Sequence, residues 1–335
     1  MPRRNEGVRL QKRKRASLRL WIGAALAAST VHAADAIRDY PARPVRIVSP
    51  FAAGGNTDMV GRMIAPRLAE RLGQNVIIEN RPGAGGMIGS ASVARATPDG
   101  HTLLFISGAF TAHSAVTKSL PYDPVHDFAW ITTVLTYPFV VVVKADSPLQ
   151  TVADLINAAK KNPGKLNYGS VGTGSVFHLA AELFDSMSGT QMTHVPYKGS
   201  AEPLTELIAG RLDVIFSTLT GVFPHIQAHR LRALAVTSLQ PSPQLPNVPA
   251  MAQTLRGYEV ISFAGLAAPR GTPRALVSRL NGEIRAVLEQ PDFRRKLADQ
   301  GGDVQGSSPE EMTRKVESEI NKWKRIVETR RIALQ

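Results

Sequence analysis

From residue 45 onward, short apolar runs alternate with longer stretches in which apolar residues recur every three or four positions. The runs at 45–49, 76–79 and 102–106 predict strands, and the stretches at 58–72 and 87–96 predict the helices between them. Pro66 falls inside the first of these helices and predicts a kink, because it removes an amide donor and crowds the preceding turn. An aliphatic strand follows at 139–144, and Thr151 with Asp154 has the spacing of a capping box that opens another helix. A second series then predicts strands at 166–170, 192–196, 214–217 and 231–237, with helices at 175–187 and 203–209. Pro241, Pro243, Pro246 and Pro249 predict irregular chain before a strand at 260–267. The tail reads as helical, and Thr272-Pro273 and Ser308-Pro309-Glu310-Glu311 each place a hydroxyl at N-cap and proline at N1. No internal repeat or low-complexity tract is present. A βα pattern given twice predicts an α/β fold of two open βα sheets joined by two crossover strands, with ligands at the carboxyl ends of the strands.

Two of those strand ends are marked by glycine. Ser49-Pro50-Phe51-Ala52-Ala53-Gly54-Gly55-Asn56-Thr57-Asp58 joins the first strand to its helix, and Gly169-Ser170-Val171-Gly172-Thr173-Gly174-Ser175 does the same in the second series. Glycine admits close approach of a ligand, and the free amides and positive dipole end of a helix start favour an anion. A tight turn with Asn56, Thr57 or Asp58 as N-cap explains the first loop alone; the match between the two series is what favours ligand contact. Nucleotide motifs are missing: there is no G-x-x-x-x-G-K-[ST], and Gly83-Ala84-Gly85-Gly86-Met87-Ile88-Gly89 is one residue too long for G-x-G-x-x-G and reads as a turn after Asn80-Arg81-Pro82. Neither G-x-S-x-G nor H-E-x-x-H occurs, so no catalytic and no metal-binding residue is assigned. His194 falls in a strand and is expected to be packed, whereas His225 and His229, four apart, have the spacing of a metal-binding pair but read more simply as a solvated helix face. His178, one turn into the helix after the second loop, either reaches the cleft or packs that helix against its neighbour.

Composition narrows the chemistry. The 335 residues include no cysteine, which removes thiolate catalysis, disulfides and a lipidated N-terminal Cys. The net charge of +13 is concentrated at one end: eight cations precede Ala33 against the single acid Glu6. That segment continues into an apolar run from Leu20 to Ala28 and then Val31-His32-Ala33, the pattern of a secretory signal peptide at 1–33, cleaved near Ala33 or Ala34. The run is too short to span a membrane, and the remaining chain is only mildly basic, against a nucleic-acid partner. A soluble exported protein without a lipid anchor is expected.

Eight segments in order carry a resemblance: Tyr40-Pro41-Ala42-Arg43-Pro44, the first glycine loop, Glu79-Asn80-Arg81-Pro82-Gly83-Ala84-Gly85-Gly86, Pro98-Asp99-Gly100, Leu120-Pro121-Tyr122-Asp123-Pro124, Pro163-Gly164-Lys165-Leu166-Asn167-Tyr168, His194-Val195-Pro196-Tyr197-Lys198-Gly199 and Leu231-Arg232-Ala233-Leu234-Ala235-Val236-Thr237. Together they resemble the Bug-type solute receptors of tripartite tricarboxylate transporters, in the type II periplasmic binding-protein superfamily. The resemblance covers essentially the whole mature chain. It implies two α/β lobes closing on a small carboxylate held by backbone amides and ordered waters, with lobe one formed by 40–141 and 264–335 and lobe two by 142–263. The implied ligand set is Ala53, Gly54, Gly55, Asn56, Thr57, Asp58, Gly108, Phe110 and Thr111 from lobe one. Lobe two would add Gly172, Thr173, Gly174, Ser175, His178, Tyr197 and Ser217, with Lys198 and Gly199 nearby. The implied protein is a monomeric receptor without cofactor or metal, not an enzyme, and its partner is a membrane transporter.

Two departures bear on the ligand. Ser217 stands where many relatives carry an acid or amide, and Phe177 replaces a commonly polar residue. Asp58 is then the only acid in the implied shell, so a carboxylate without an amine, aromatic or dicarboxylic, is expected. Two other classes share the architecture. A ligand-sensing effector module would need a helix-turn-helix where the apolar N-terminal run stands, and a periplasmic hydrolase would need a nucleophile and base at recognisable spacing.

Overall fold

The computed structural model describes residues 39–54, 56–197, 199, 201–299 and 301–334. The expected signal peptide lies outside them. In chain order the first elements are β1 (Val45–Ser49), α1 (Asn56–Leu72), β2 (Val76–Asn80), α2 (Met87–Ala94), β3 (Thr102–Ser107) and α3 (Gly108–Val116). Then come β4 (Phe128–Lys144), α4 (Val152–Lys161), β5 (Asn167–Ser170), α5 (Val176–Ser188), β6 (Thr193–Pro196), α6 (Ala201–Ile208), β7 (Val214–Thr218), α7 (Leu219–Gln227) and β8 (Leu231–Val236). The chain closes with β9 (Ile261–Pro269), α8 (Arg274–Leu288), α9 (Pro291–Asp299), β10 (Asp303–Val304) and α10 (Pro309–Thr329).

The strands form a mixed sheet in the order β2-β1-β3-β9-β4-β7-β5-β6, with β8 and β10 also paired to β4. Strand β4 is the hinge. Its first half pairs with β9 up to Pro138↔Ile261, and its second half pairs with β7 and β8 from Phe139 onward. Strand β8 continues toward β9 on the same edge, where Thr237 N–H donates to the Phe139 carbonyl and Val260 N–H to the Thr237 carbonyl, both at 2.9 Å. Two lobes therefore share one long strand and a second, interrupted one. The sequence predicted only 139–144 of β4, because Thr132, Thr133, Thr136 and Pro138 break the apolar run that precedes it.

Helices cover both faces of each half. In lobe one, α1, α8 and α9 bury Ile64, Leu68, Leu280, Ile284 and Phe293 on one side. On the other, α2, α3 and the start of α10 bury Val93, Phe110, Met312, Val316 and Ile320. In lobe two, α4 and α5 lie over Leu155, Leu179 and Phe184, and α6 and α7 lie opposite over Leu207 and Val222. Helix α10 belongs to both lobes, since Trp323, Ile326 and Val327 join the second-lobe cluster.

Local signals explain several helix starts. Thr151 with Asp154 and Ser308 with Glu311 form complete capping boxes at α4 and α10. Pro273 is the N-cap of α8 rather than its first turn, because Thr272 donates its hydroxyl to the Pro269 carbonyl and stays in the preceding turn. Helix α1 continues through Pro66. His229 lies beyond α7 with φ 52, so it does not share a helix face with His225. No helix among the described residues is long and apolar enough to cross a membrane.

Candidate functional site

The loop that follows β5 meets α3, the helix that follows β3, at Gly174 and Val116. In the first loop, Ser49 Oγ and Thr57 Oγ1 lie 2.9 Å apart and share a hydrogen bond. Asp58 Oδ2 accepts the Gly54 N–H at 2.9 Å and the Arg62 Nε–H at 3.1 Å, while Arg62 Nη2 stands 3.0 Å from Oδ1. The Arg62 hydrogen bond holds the Asp58 carboxyl below the usual carboxylate range. Thr57 and Asp58 are buried and tie the loop to its helix, so the outward face here is backbone at Ala53 and Gly54. Asn56 opens α1, and Gly55 lies outside the described residues.

Gly108 opens α3 against β9, where a Cβ would stand 2.7 Å from Ser262 Oγ. Thr111 is buried and donates its hydroxyl to the Gly108 carbonyl. Phe110 does not line the cleft. Its ring stacks over Tyr122 at 6.1 Å and meets Phe128 and Trp130 edge-on at 5.8 and 6.0 Å, inside the lobe-one core. An apolar ring in the first turn of a helix lying on a sheet packs toward that sheet. Phe177 likewise packs edge-on against Phe139 at 4.9 Å.

The second loop is built from within. Ser170 Oγ accepts the Gly172 N–H at 3.1 Å, Ser175 N–H donates to the Gly172 carbonyl at 3.2 Å, and Ser175 Oγ caps α5 by accepting the His178 N–H at 3.3 Å. His178 Nδ1 accepts the Gly174 N–H at 3.1 Å. The amides of Gly54, Gly172 and Gly174, which the sequence offered to an anion, are thus bonded inside their own loops. Thr173 is exposed at the tip. Gly174, at φ 76, is one place where the lobes touch: a Cβ there would stand 2.5 Å from Val116 Cγ2 on α3. Tyr197 N–H donates to the Ser170 carbonyl at 2.9 Å, and its side chain packs partly against the cluster under α6 and α7. Lys198 lies outside the described residues. Ser217, half-buried, sits one residue before the end of β7 opposite Val140.

His178 is 5% exposed and holds the loop from behind. Its ring stacks on His194 at 4.0 Å, and Tyr168 lies beside both, 5.0 Å from His194 and 6.3 Å from His178. His194 Nε2 lies 2.6 Å from Ser170 Oγ, a pairing invisible in the sequence because it joins adjacent strands 24 residues apart. That Ser–His pair has nucleophile–base geometry, yet in this structure Ser170 is 1% exposed and already bonded to Gly172. No group of three His, Asp or Glu residues placed to hold a metal ion occurs among the described residues.

Burial lowers the pKa of both imidazoles, and the neighbouring His178 adds to the effect at His194, which falls from 6.5 to about 4. Between those limits the folded chain binds fewer protons than the unfolded chain. The stability they contribute is therefore complete above about pH 6.5 and lost as the pH falls toward 4, by at most about 1.4 kcal/mol per unit for each histidine. Urea unfolding at stepped pH should show this slope, and His194→Gln should flatten it; an unaltered slope would place the titration elsewhere.

Two α/β lobes hinged on a shared strand, with glycine loops at the facing strand ends, define a type II periplasmic binding protein. A Rhodopseudomonas palustris protein solved with adipate is 39% identical, with a TM-score of 0.78 over 88% of this chain and 99% of that one. MatC from Rhodopseudomonas palustris with bound malate is 32% identical, with a TM-score of 0.74 over 86% and 100%. The UPF0065 protein in the tcbD-tcbE intergenic region of Pseudomonas sp. (strain P51) is 39% identical over 312 residues, 92% of this chain and 93% of its own length. Residues 60–332 match the tripartite tricarboxylate transporter family receptor, TctC. The chain belongs to that receptor family.

Proposed function

We propose that this chain is an exported, monomeric periplasmic receptor that closes its lobes on a linear dicarboxylate of malate-to-adipate size and delivers it to the membrane subunits of its transporter. The observation that carries this reading is the meeting of the two lobes at Gly174 and Val116, beside glycine loops whose polar side chains are already bonded internally. Such loops offer a preformed surface that costs little ordering on binding. The ligand-facing set then centres on Ala53 and Gly54 in lobe one and on Thr173 and Ser217 in lobe two, while Thr57, Asp58, Thr111, Ser175 and His178 shape the loops. Supporting the dicarboxylate are the adipate and malate held by two similar structures. Phe110 is packed in the lobe-one core and gives no support to an aromatic acid.

An amine is disfavoured because Asp58 is engaged by Arg62 and Gly54, and an unpaired buried ammonium costs several kcal/mol. The change of partners along β4 at Pro138 and Phe139 supports lobes close to 40–141 with 264–335 and 142–263. The reading is of binding, not turnover, given the buried Ser170. Calorimetry of adipate, malate and aspartate, with small-angle scattering at saturation, tests it. A dicarboxylate should bind more tightly than aspartate and shrink the radius of gyration; preference for aspartate would overturn the exclusion of an amine, and an unchanged radius would count against closure.

A further inference from the structure

The end of α10 rests on lobe two, and the residue that follows it, Arg330, reaches two carboxylates of α5. Arg330 donates through Nε–H to Glu182 Oε2 at 2.7 Å, and its Nη2 lies 3.4 Å from Asp185 Oδ2. Glu182 and Asp185 are 9% and 0% exposed, an environment that tolerates carboxylates only with a counter-charge and hydrogen bonds. Glu182 Oε1 accepts the Tyr168 hydroxyl at 2.7 Å and lies 3.8 Å from His178 Nε2. His178 in turn accepts the Gly174 amide through Nδ1. Three contacts in series join the tail of the chain to the loop that touches the other lobe.

The last contact depends on protonation, because an imidazole nitrogen accepts a hydrogen bond only while it carries no proton. The ionisable groups around His178 are Tyr168 from β5, His194 from β6, Glu182 and Asp185 from α5, and Arg330 beyond α10. From α3 the loop meets Val116, which is neutral. Arg330 is the permanent cation of this group. Without it, Glu182, 3.8 Å from His178 Nε2, would lose its counter-charge and draw a proton onto His178, and Nδ1 would face the Gly174 N–H as a second donor.

We propose that Arg330 is a positioning residue for ligand binding: by neutralising Glu182 and Asp185 it keeps His178 unprotonated, and so holds Gly174 and the second-lobe loop in the shape that grips the ligand. The link to the ligand rests on the receptor function proposed above, whereas the control of His178 does not. The test uses the histidine-labelled full chain. Long-range proton–nitrogen NMR, with His178→Gln as the assignment variant, should show His178 as the Nε2–H tautomer. Arg330→Gln should raise its protonation midpoint by about one pH unit or more, shift the Gly174 amide resonance, and weaken adipate binding at least about tenfold near pH 6, with Arg330→Lys in between. Glu182→Gln should move the midpoint the other way, and it decides the matter if Arg330→Gln does not fold. A midpoint unmoved in the folded variants would overturn the proposal. Failure of the native chain to bind adipate would instead count against the ligand reading, while the midpoint and the Gly174 resonance still judge the role of Arg330.

Discussion

Replacing Trp323 by alanine is expected to lower the unfolding free energy by about 3–5 kcal/mol, the usual cost of truncating a large buried aromatic. Trp323 is 1% exposed on α10, at the point where the helix passes from the cluster around Met312, Val316 and Ile320 to the one around Ile326 and Val327. Its indole Nε1–H has no hydrogen-bond partner in the structure, so the loss is packing and cavity formation together with the contact of the Lys322 ammonium, 4.6 Å from the ring centroid. Because α10 contributes to both cores, the damage should also uncouple them. Urea unfolding followed by far-ultraviolet circular dichroism should give one transition in the native chain and a broadened or split one in Trp323→Ala. A single transition displaced by less than about 1 kcal/mol would show that the two cores are joined elsewhere.

Much of this architecture is legible in the sequence, because strand and helix periodicities are local. Strands β1, β2, β3 and β5 to β9 fall within a few residues of their predicted spans, and the capping boxes at Thr151 and Ser308 are realised with both reciprocal bonds. What escaped has a common cause. The first half of β4 is rich in threonine and ends at a proline, and it becomes a strand because β9 and β10 flank it, a tertiary condition. Helix α3 starts with Gly108 and carries Thr111 and Ser114, poor helix formers that gain from the Ser107 cap and from complete burial. The two glycine loops were identified by residue type, but the fate of their amides was not. Whether Gly174 N–H points at a ligand or at His178 depends on which neighbour reaches it first, and the nearest acceptor lies four residues on, beside Glu182 one turn further along α5 and, through it, Arg330 from the distant end of the chain.

Gly174→Ala should weaken adipate binding by about tenfold to a hundredfold, equivalent to about 1.4–2.8 kcal/mol. Two costs combine there. The residue sits at φ 76, where a non-glycine side chain is strained by an amount on the order of 1–3 kcal/mol. The new methyl would also stand 2.5 Å from Val116 Cγ2 and 3.2 Å from its Cβ. Valine is branched at Cβ and stiff, and Val116 is fully buried, so the side chain cannot swing aside and the loop and α3 must separate. Separation at that point widens the gap between the lobes, which is the motion that opposes closure on a ligand. Val116→Ala in the same chain would remove the steric part and leave the backbone strain. The double variant should therefore recover a portion of the lost affinity, with a coupling energy above about 0.5 kcal/mol in the cycle. Additive losses would mean that Gly174 acts through its backbone conformation alone and that the contact with Val116 does not set the spacing of the lobes.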